Sequence, residues 1–376
     1  MGKSQQKIER LRMALAHKEA DRVPVGEAFW SGFLSRCREK WGNGFDPYKY
    51  FDLDLICCHP NCDPLIREFE VIKDDGNEMI VKTGYGAIIR RSGTAPMPHY
   101  ESFAVSTPEQ MADYQFDDPT DPRRFYSAGD DQINGVGDVI SRHVPAWDDR
   151  VNMYVDDFAV FGSLLEPYEY VWRCVGTENA LYWMATDPEL FADFVNRIGE
   201  FMLKFAQAQI DAGKGRLAGM YIWGDVAYVK GMLFGAPRWR EIFKPHVKAL
   251  IDLLHRNNLM VIYHGCGNAS DIYDDMVEIG LDAYNPLEVK SGLDVVKLKD
   301  KYAGKLAFCG NLDVRILERG NPDEIRNEVL YKLQAAKGGG WIFQSDHSIS
   351  SDVAPESYEL AIKLLREYGN YPLDLK

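Results

Sequence analysis

From residue 150 onward the chain repeats one unit: a short apolar run ending in polar residues, then an amphipathic or polar stretch, then another apolar run. The runs are VNMYVDD, GMYIWGD, LMVIYHGCG, DAYNPLE, KLAFCGNLD and GGWIFQSDH, with stretches such as APRWREIFKPHVKALIDLLHRNN and NPDEIRNEVLYKLQAAKGGG between them. Strands joined by helical crossovers pair in parallel, because each crossover returns the chain to the edge where the previous strand began. Adding VPVGEAF near the start and DLDLICC at 52–58 brings the count to eight, the number that closes a (β/α)8 barrel of about 250 residues. The expected fold class is therefore α/β, a (β/α)8 TIM barrel. A doubly wound open sheet is the runner-up, but its G-x-G-x-x-G turn is missing after the first strand.

The chain is longer than a minimal barrel, and the surplus has a place. Ile8, Leu11 and Leu15 recur at helical spacing and predict an N-terminal helix over 7–18. Residues 71–91 alternate in hydropathy and turn at Asp-Asp-Gly-Asn, which predicts an inserted antiparallel hairpin. The stretch 116–150, with FDDPTDPRRF and DDQINGVGD, is rich in turn dipeptides and predicts loop and short helix. The expectation is a single domain over 1–376 with an insertion at about 70–150.

Charge and composition remove several classes of function. Lys plus Arg is 43 against 57 for Asp plus Glu, so the chain carries no electrostatic footprint for a phosphate backbone, and nucleic acid is not an expected partner. No run approaches the roughly 18 apolar residues of a membrane span, and the start MGKSQQKIERLRMALAHKEADR is charged where a secretory signal is apolar. Seven cysteines, an odd count, favour reduced thiols over a disulfide framework, so a cytoplasmic location is expected.

In a barrel, side chains at the carboxyl ends of the strands gather at one mouth, which is where such enzymes keep their active sites. Those ends offer Glu27, His59, Asp156 with Asp157, Asp225, His264 with Cys266, Glu288, Cys309 with Asn311 and Asp313, and Asp346 with His347. Tyr263-His264-Gly265-Cys266-Gly267 is the sharpest pattern, because residues two apart on a strand face the same side, so imidazole and thiolate could share one ion. Cys309 ends another strand, and catalytic zinc typically takes three protein ligands and leaves a position open. The bland alternative is a small buried thiol beside a structural histidine. Cys57-Cys58-His59-Pro60-Asn61-Cys62 fits no familiar zinc knuckle, although His59 could still face the cavity. Glu27, Asp225 and Glu288 are candidate acids, bases or orienting partners; their alternative role is to cap the helices that follow. Gly338-Gly339-Gly340 follows a helical stretch and precedes a strand, the reverse of a phosphate-cradling order, and reads as a helix end and linker.

Taken together, KIERLRMALAHKEADRVPV, the H-x-C-G turn at His264, the Gly310-Asn311-Leu312-Asp313 turn and the ending SDHSISSDVAPESYELAIKLLREYG resemble the uroporphyrinogen decarboxylase superfamily over nearly the whole chain. The resemblance implies a barrel with its site at the carboxyl mouth, and either a porphyrin decarboxylase or a zinc methyltransferase of a corrinoid-dependent system. The decarboxylase motif R-Q-A-G-R after the first strand is absent here, where GEAFWSGFLSR follows Val25, so the methyltransferase branch is the closer resemblance. Its implied centre is zinc on His264, Cys266 and either Cys309 or His347, with Glu27, Asp225, Glu288 and His347 handling a small methylated or methoxylated substrate. Its implied partner is a corrinoid carried on a separate protein, since no D-x-H-x-x-G cobalamin signature stands in this chain, and members often form homodimers. A metal-free decarboxylase or related lyase is the alternative.

Overall fold

The computed structural model describes residues 2–66, 69–92, 98–127, 132–133, 140–141 and 145–375, with 132–133 and 140–141 as backbone alone. Most of the DDQINGVGD stretch therefore lies outside the described residues.

Seven strands form one parallel sheet: β1 (Leu55–Cys57), β8 (Ala159–Leu165), β9 (Gly219–Trp223), β12 (Met260–His264), β13 (Ala283–Asn285), β14 (Ala307–Cys309) and β15 (Trp341–Ile342), adjacent in that order. β8 and β9 are buried at every position, as expected where helices cover one face and a packed interior the other. Among the described residues eight further strands stand outside this sheet: β2 (Glu70–Asp74), β3 (Glu78–Lys82), β4 (Ile88–Ser92), β5 (His99–Ser102), β6 (Gln132–Ile133), β7 (Ile140–Ser141), β10 (Ala227–Tyr228) and β11 (Gly231–Met232). β2 to β5 make one four-stranded antiparallel sheet, larger than the single hairpin expected from the sequence. Among the described residues no helix is long and apolar enough to cross a membrane.

Residues 23–26 make no regular strand, yet they bond both edges of the parallel sheet. Val25 N donates to the Asp54 carboxylate at 2.8 Å and its carbonyl accepts from Asp54 N at 2.7 Å, beside β1. On the other side Gly26 N donates to Phe343 O at 3.0 Å, and Phe343 N to Pro24 O at 2.9 Å, beside β15. Asp54, fully buried, is the pivot: Arg10 donates to one of its oxygens, and Arg22 reaches both, at 2.7 and 3.0 Å. Arg10 comes from the N-terminal helix Lys3–Leu15, whose buried residues Lys7, Arg10, Leu11 and Ala14 fall on one stripe at helical spacing.

The sequence places a strand at VNMYVDD, and the structure corrects it. Trp147–Tyr154 is a helix that buries Trp147 and Val151, four residues apart, and the strand is the next apolar run, Ala159–Leu165. Asp157 accordingly ends no strand; it pairs with Lys3 and Lys49. A short half-buried run holding two apolar residues four apart satisfies helix and strand periodicity alike, and only the unbroken apolar run beside it can be buried on both faces. The Gly338–Gly340 segment follows a helix, as expected. A Cβ on Gly339 would fall 2.4 Å from the backbone of Lys18, so only glycine lets the segment after the N-terminal helix approach this turn.

Candidate metal centre

β12 ends at His264, and the chain turns so that Cys266 Sγ lies 3.5 Å from His264 Nε2. Two ligands at the usual zinc–nitrogen and zinc–sulfur distances, separated by a tetrahedral angle, stand about 3.5 Å apart. The neighbouring strand decides which imidazole nitrogen is free. Asn285, fully buried at the end of β13, donates its amide N–H to Cys309 O at 2.9 Å, which leaves its Oδ1 to face His264 Nδ1 at 2.7 Å. An amide oxygen only accepts, so Nδ1 carries the proton and Nε2 presents a lone pair toward the sulfur. Burial lowers the His264 pKa and keeps the ring neutral, as a ligand must be. Burial also pushes the Cys266 thiol well up; its proton points at Nε2 and is the one a binding cation displaces.

Three further groups complete the cluster. Asp225, two residues beyond β9 and half exposed, accepts from Cys266 N at 2.8 Å and stands 3.8 Å from His264 Nε2. Glu288, buried, accepts from Gly267 N at 3.2 Å and Ser291 Oγ at 3.0 Å and pairs with Lys290 at 3.2 Å. His347 packs edge-on to Trp30, ring centres 5.3 Å apart. The ligand atoms of Asp225, His264 and Cys266 all lie within 4.8 Å of one another, and so do those of Cys266, Glu288 and His347; Cys266 belongs to both sets. One nitrogen, one sulfur and a choice of imidazole or carboxylate is a donor set that suits zinc.

Two residues expected at the site are held elsewhere. Cys309 Sγ donates to Gln344 Oε1 at 2.9 Å and lies 3.8 Å from Tyr221 OH, and no ligand cluster among the described residues includes it. Its burial follows from register: it pairs with Ile342 inside the sheet, and burial pushes the thiol up to about 12. Glu27 binds the last strand's extension instead of the cluster, accepting from Ser345 N at 3.1 Å and Ser345 Oγ at 2.7 Å. Asp346, whose carboxyl burial raises to about 6, ties together the starts of two helical segments by accepting from Val289 N and Val314 N, each at 2.9 Å. Asp313 is the N-cap of the helix Val314–Arg319, the structural fate open to any aspartate after a strand.

Sequence reasoning missed the residues behind the cluster. Glu169, in the helix Pro167–Val175 that follows β8, accepts from Asp225 N at 2.8 Å and is ion-paired with Arg173 at 3.2 Å, both side chains buried. The misplaced strand hid it; the available signal was Glu-Pro directly after the apolar run AVFGSLL, an N-cap followed by proline at the first helical position. Asn285 carried a signal too, as the last residue of the apolar segment DAYN.

Two predictions arise here. Asn285→Leu removes the acceptor that fixes the His264 tautomer, and zinc affinity measured by competition with a chromophoric chelator falls about 10- to 100-fold. Unchanged affinity would mean that Asn285 orients nothing. The second concerns Glu27 and Glu166, whose carboxyls burial raises to about 8. A carboxyl with its folded pKa above its unfolded value stabilises the fold fully below the unfolded value and loses that contribution as pH rises through the folded one. Denaturant titrations therefore give a stability that declines from about pH 5 to about pH 8, and Glu27→Gln flattens the decline. A profile as steep in the variant as in the parent contradicts the assignment.

Comparison with known proteins agrees with this architecture. The profile of the Uroporphyrinogen decarboxylase (URO-D) family matches residues 101–368. Uroporphyrinogen decarboxylase from Chlorobium limicola is 22% identical over 247 residues, 63% of this chain and 66% of the relative. The Citrifermentans bemidjiense protein of the same name is 30% identical over 174 residues, 46% of this chain and 48% of the relative. The chain thus spans about half to two thirds of the length of the curated relatives it matches. Among solved structures, a methyltransferase from Methanosarcina mazei superposes with a TM-score of 0.66 over 96% of this chain and 98% of its own, at 16% sequence identity, a likeness of fold.

Proposed function

We propose, starting from a chain that belongs to the uroporphyrinogen decarboxylase family, that it is a zinc-dependent methyltransferase working between a small methylated or methoxylated compound and a corrinoid carried on a second protein. In this reading residues 23–26 are the eighth stave of a closed (β/α)8 barrel, and the cluster stands at its carboxyl mouth. The observation that carries it is the 3.5 Å approach of Cys266 Sγ to a His264 Nε2 whose lone pair Asn285 has set free.

Zinc on these residues would supply Lewis acidity to the heteroatom that carries or receives the methyl group. His264 and Cys266 are the fixed ligands. His347 or Glu288 supplies the third in place of Cys309, because both stand with Cys266 while Cys309 is committed to Gln344. Asp225 holds the Cys266 backbone and is the exposed carboxylate next to the imidazole, placed to take or give the proton of an incoming hydroxyl or thiol. The Glu169–Arg173 pair keeps the Asp225 loop in register. Free thiols throughout are compatible with a cytoplasmic setting.

The relatives' name supports a second reading, a metal-free decarboxylase. One experiment separates the two. The zinc-loaded protein is mixed with a reduced corrinoid protein and a panel of methoxylated compounds while the cobalt spectrum is followed. Methyl–cobalt formation that needs zinc supports the methyltransferase; silence across the panel, with carbon dioxide released from a polycarboxylate by metal-free protein, supports the lyase.

A further inference from the structure

His59 follows β1 and is half-buried, and its only hydrogen-bond partner among the described residues is Ser163, whose Oγ lies 2.8 Å from Nδ1. Ser163 is fully buried in β8, and the same oxygen accepts from Trp223 Nε1 at 2.9 Å. An indole N–H can only donate, so the serine keeps its own proton to give. His59 Nδ1 is the nitrogen or oxygen acceptor beside it, since the nearby Cys57 thiol is directed at Gly162 O. The pairing that hands the serine proton to the imidazole, a stronger acceptor than the Cys57 sulfur, makes Nδ1 the acceptor and leaves the ring proton on Nε2, which has no partner among the described residues. Burial pushes the ring's pKa down to about 3, so the ring stays neutral.

Trp223 stands between two histidines of opposite polarity. Its ring centre is 5.7 Å from that of His59 and 4.6 Å from that of His264, so the imidazoles are separated by no more than those two legs laid end to end. Tyr221, buried with Cys309 and Gln344, stacks on the same indole at 5.0 Å and backs it. His264 offers a lone pair at Nε2, and His59 offers an N–H.

We propose that His59 is a specificity-determining residue: its Nε2–H binds an acceptor atom of a flat substrate that lies against Trp223 with its other heteroatom at the His264–Cys266 centre. This rests on the function proposed above, which places a substrate at that centre. The ligand class is then an aromatic or similarly planar compound with a methyl-bearing heteroatom at one end and a carbonyl, carboxylate or ether oxygen at the other. A ligand presenting only N–H or C–H there leaves the His59 donor without an acceptor.

The test uses two neutral probes of nearly equal shape, 4-methoxyacetophenone and 1-ethyl-4-methoxybenzene, which differ by a carbonyl oxygen. Calorimetric titration of the full chain, zinc-free and zinc-loaded, is expected to give about three- to tenfold tighter binding of the ketone. His59→Leu brings the ratio to about one; His59→Gln, which keeps an N–H, preserves most of it; Ser163→Ala lowers it with His59 in place. Equal affinity in the parent protein, no binding of either probe, or a preference that survives His59→Leu overturns the proposal. Zinc content is read on the same samples. A ketone preference lost in His59→Leu while the parent takes up no zinc upholds the donor and sinks the zinc function; a zinc-loaded parent without the preference does the reverse.

Discussion

Asp54→Ala is expected to cost the protein about 3–5 kcal/mol of stability, enough to leave many preparations unfolded at physiological temperature. The wild-type carboxylate is fully buried and takes hydrogen bonds from Arg10, Arg22 and the Val25 amide. Removing it takes a partner from Arg10 Nη1 and from the Arg22 guanidinium, side chains only 8% and 13% exposed, and deprives Val25 N of its acceptor. The loss falls where residues 23–26 meet β1, so it loosens the segment linking the two edges of the sheet. Asp21 softens the effect by retaining its own pair with Arg10. Urea titration of Asp54→Ala and Asp54→Asn checks this: the alanine variant loses the full amount, and asparagine, which keeps an acceptor for Val25 N, loses less. A change under about 1 kcal/mol in both would show that the network is solvated and incidental.

Removing either proposed ligand is expected to take zinc from about one ion per chain to near zero, and zinc-dependent methyl transfer to background with it. His264→Ala deletes the only lone pair that Asn285 has oriented, and Cys266→Ser replaces the sulfur common to both ligand sets. Cys309→Ser is the control: its thiol already serves Gln344, so metal content stays at the parental level. Circular dichroism separates ligand loss from misfolding, since His264 and Cys266 are only half-buried at the end of β12. Plasma emission spectrometry after dialysis reads the stoichiometry. Full zinc in Cys266→Ser, or loss of zinc in Cys309→Ser, contradicts the ligand assignment.

The alternation of apolar runs and helical stretches was legible because crossover topology leaves parallel strands little choice, and six of the seven sheet strands fall inside runs the sequence marks. The seventh, Ala159–Leu165, was displaced by one segment, because Val151, Met153 and Val155 alternate like a strand while Trp147 and Val151 also share a helical face. The H-x-C turn was legible for a similar reason: two residues apart on a strand is a local distance. Cys309, Glu27 and His347 were harder, since their relative heights depend on strand register and stagger, which no single segment encodes. Register buried the Cys309 sulfur beside Tyr221 and Gln344 and left His347 free to reach Cys266. Glu169 and Asn285 each left a local signal, but each acts through a neighbour's backbone or ring, a relation only the folded contacts disclose.

Zinc-edge X-ray absorption on the loaded protein tests the ligand centre most directly. The expected shell has one sulfur at about 2.3 Å with nitrogen and oxygen at about 2.0–2.2 Å, and the sulfur scatterer vanishes in Cys266→Ser. A protein that retains no zinc, or a shell made only of nitrogen and oxygen in the parent chain, would contradict it.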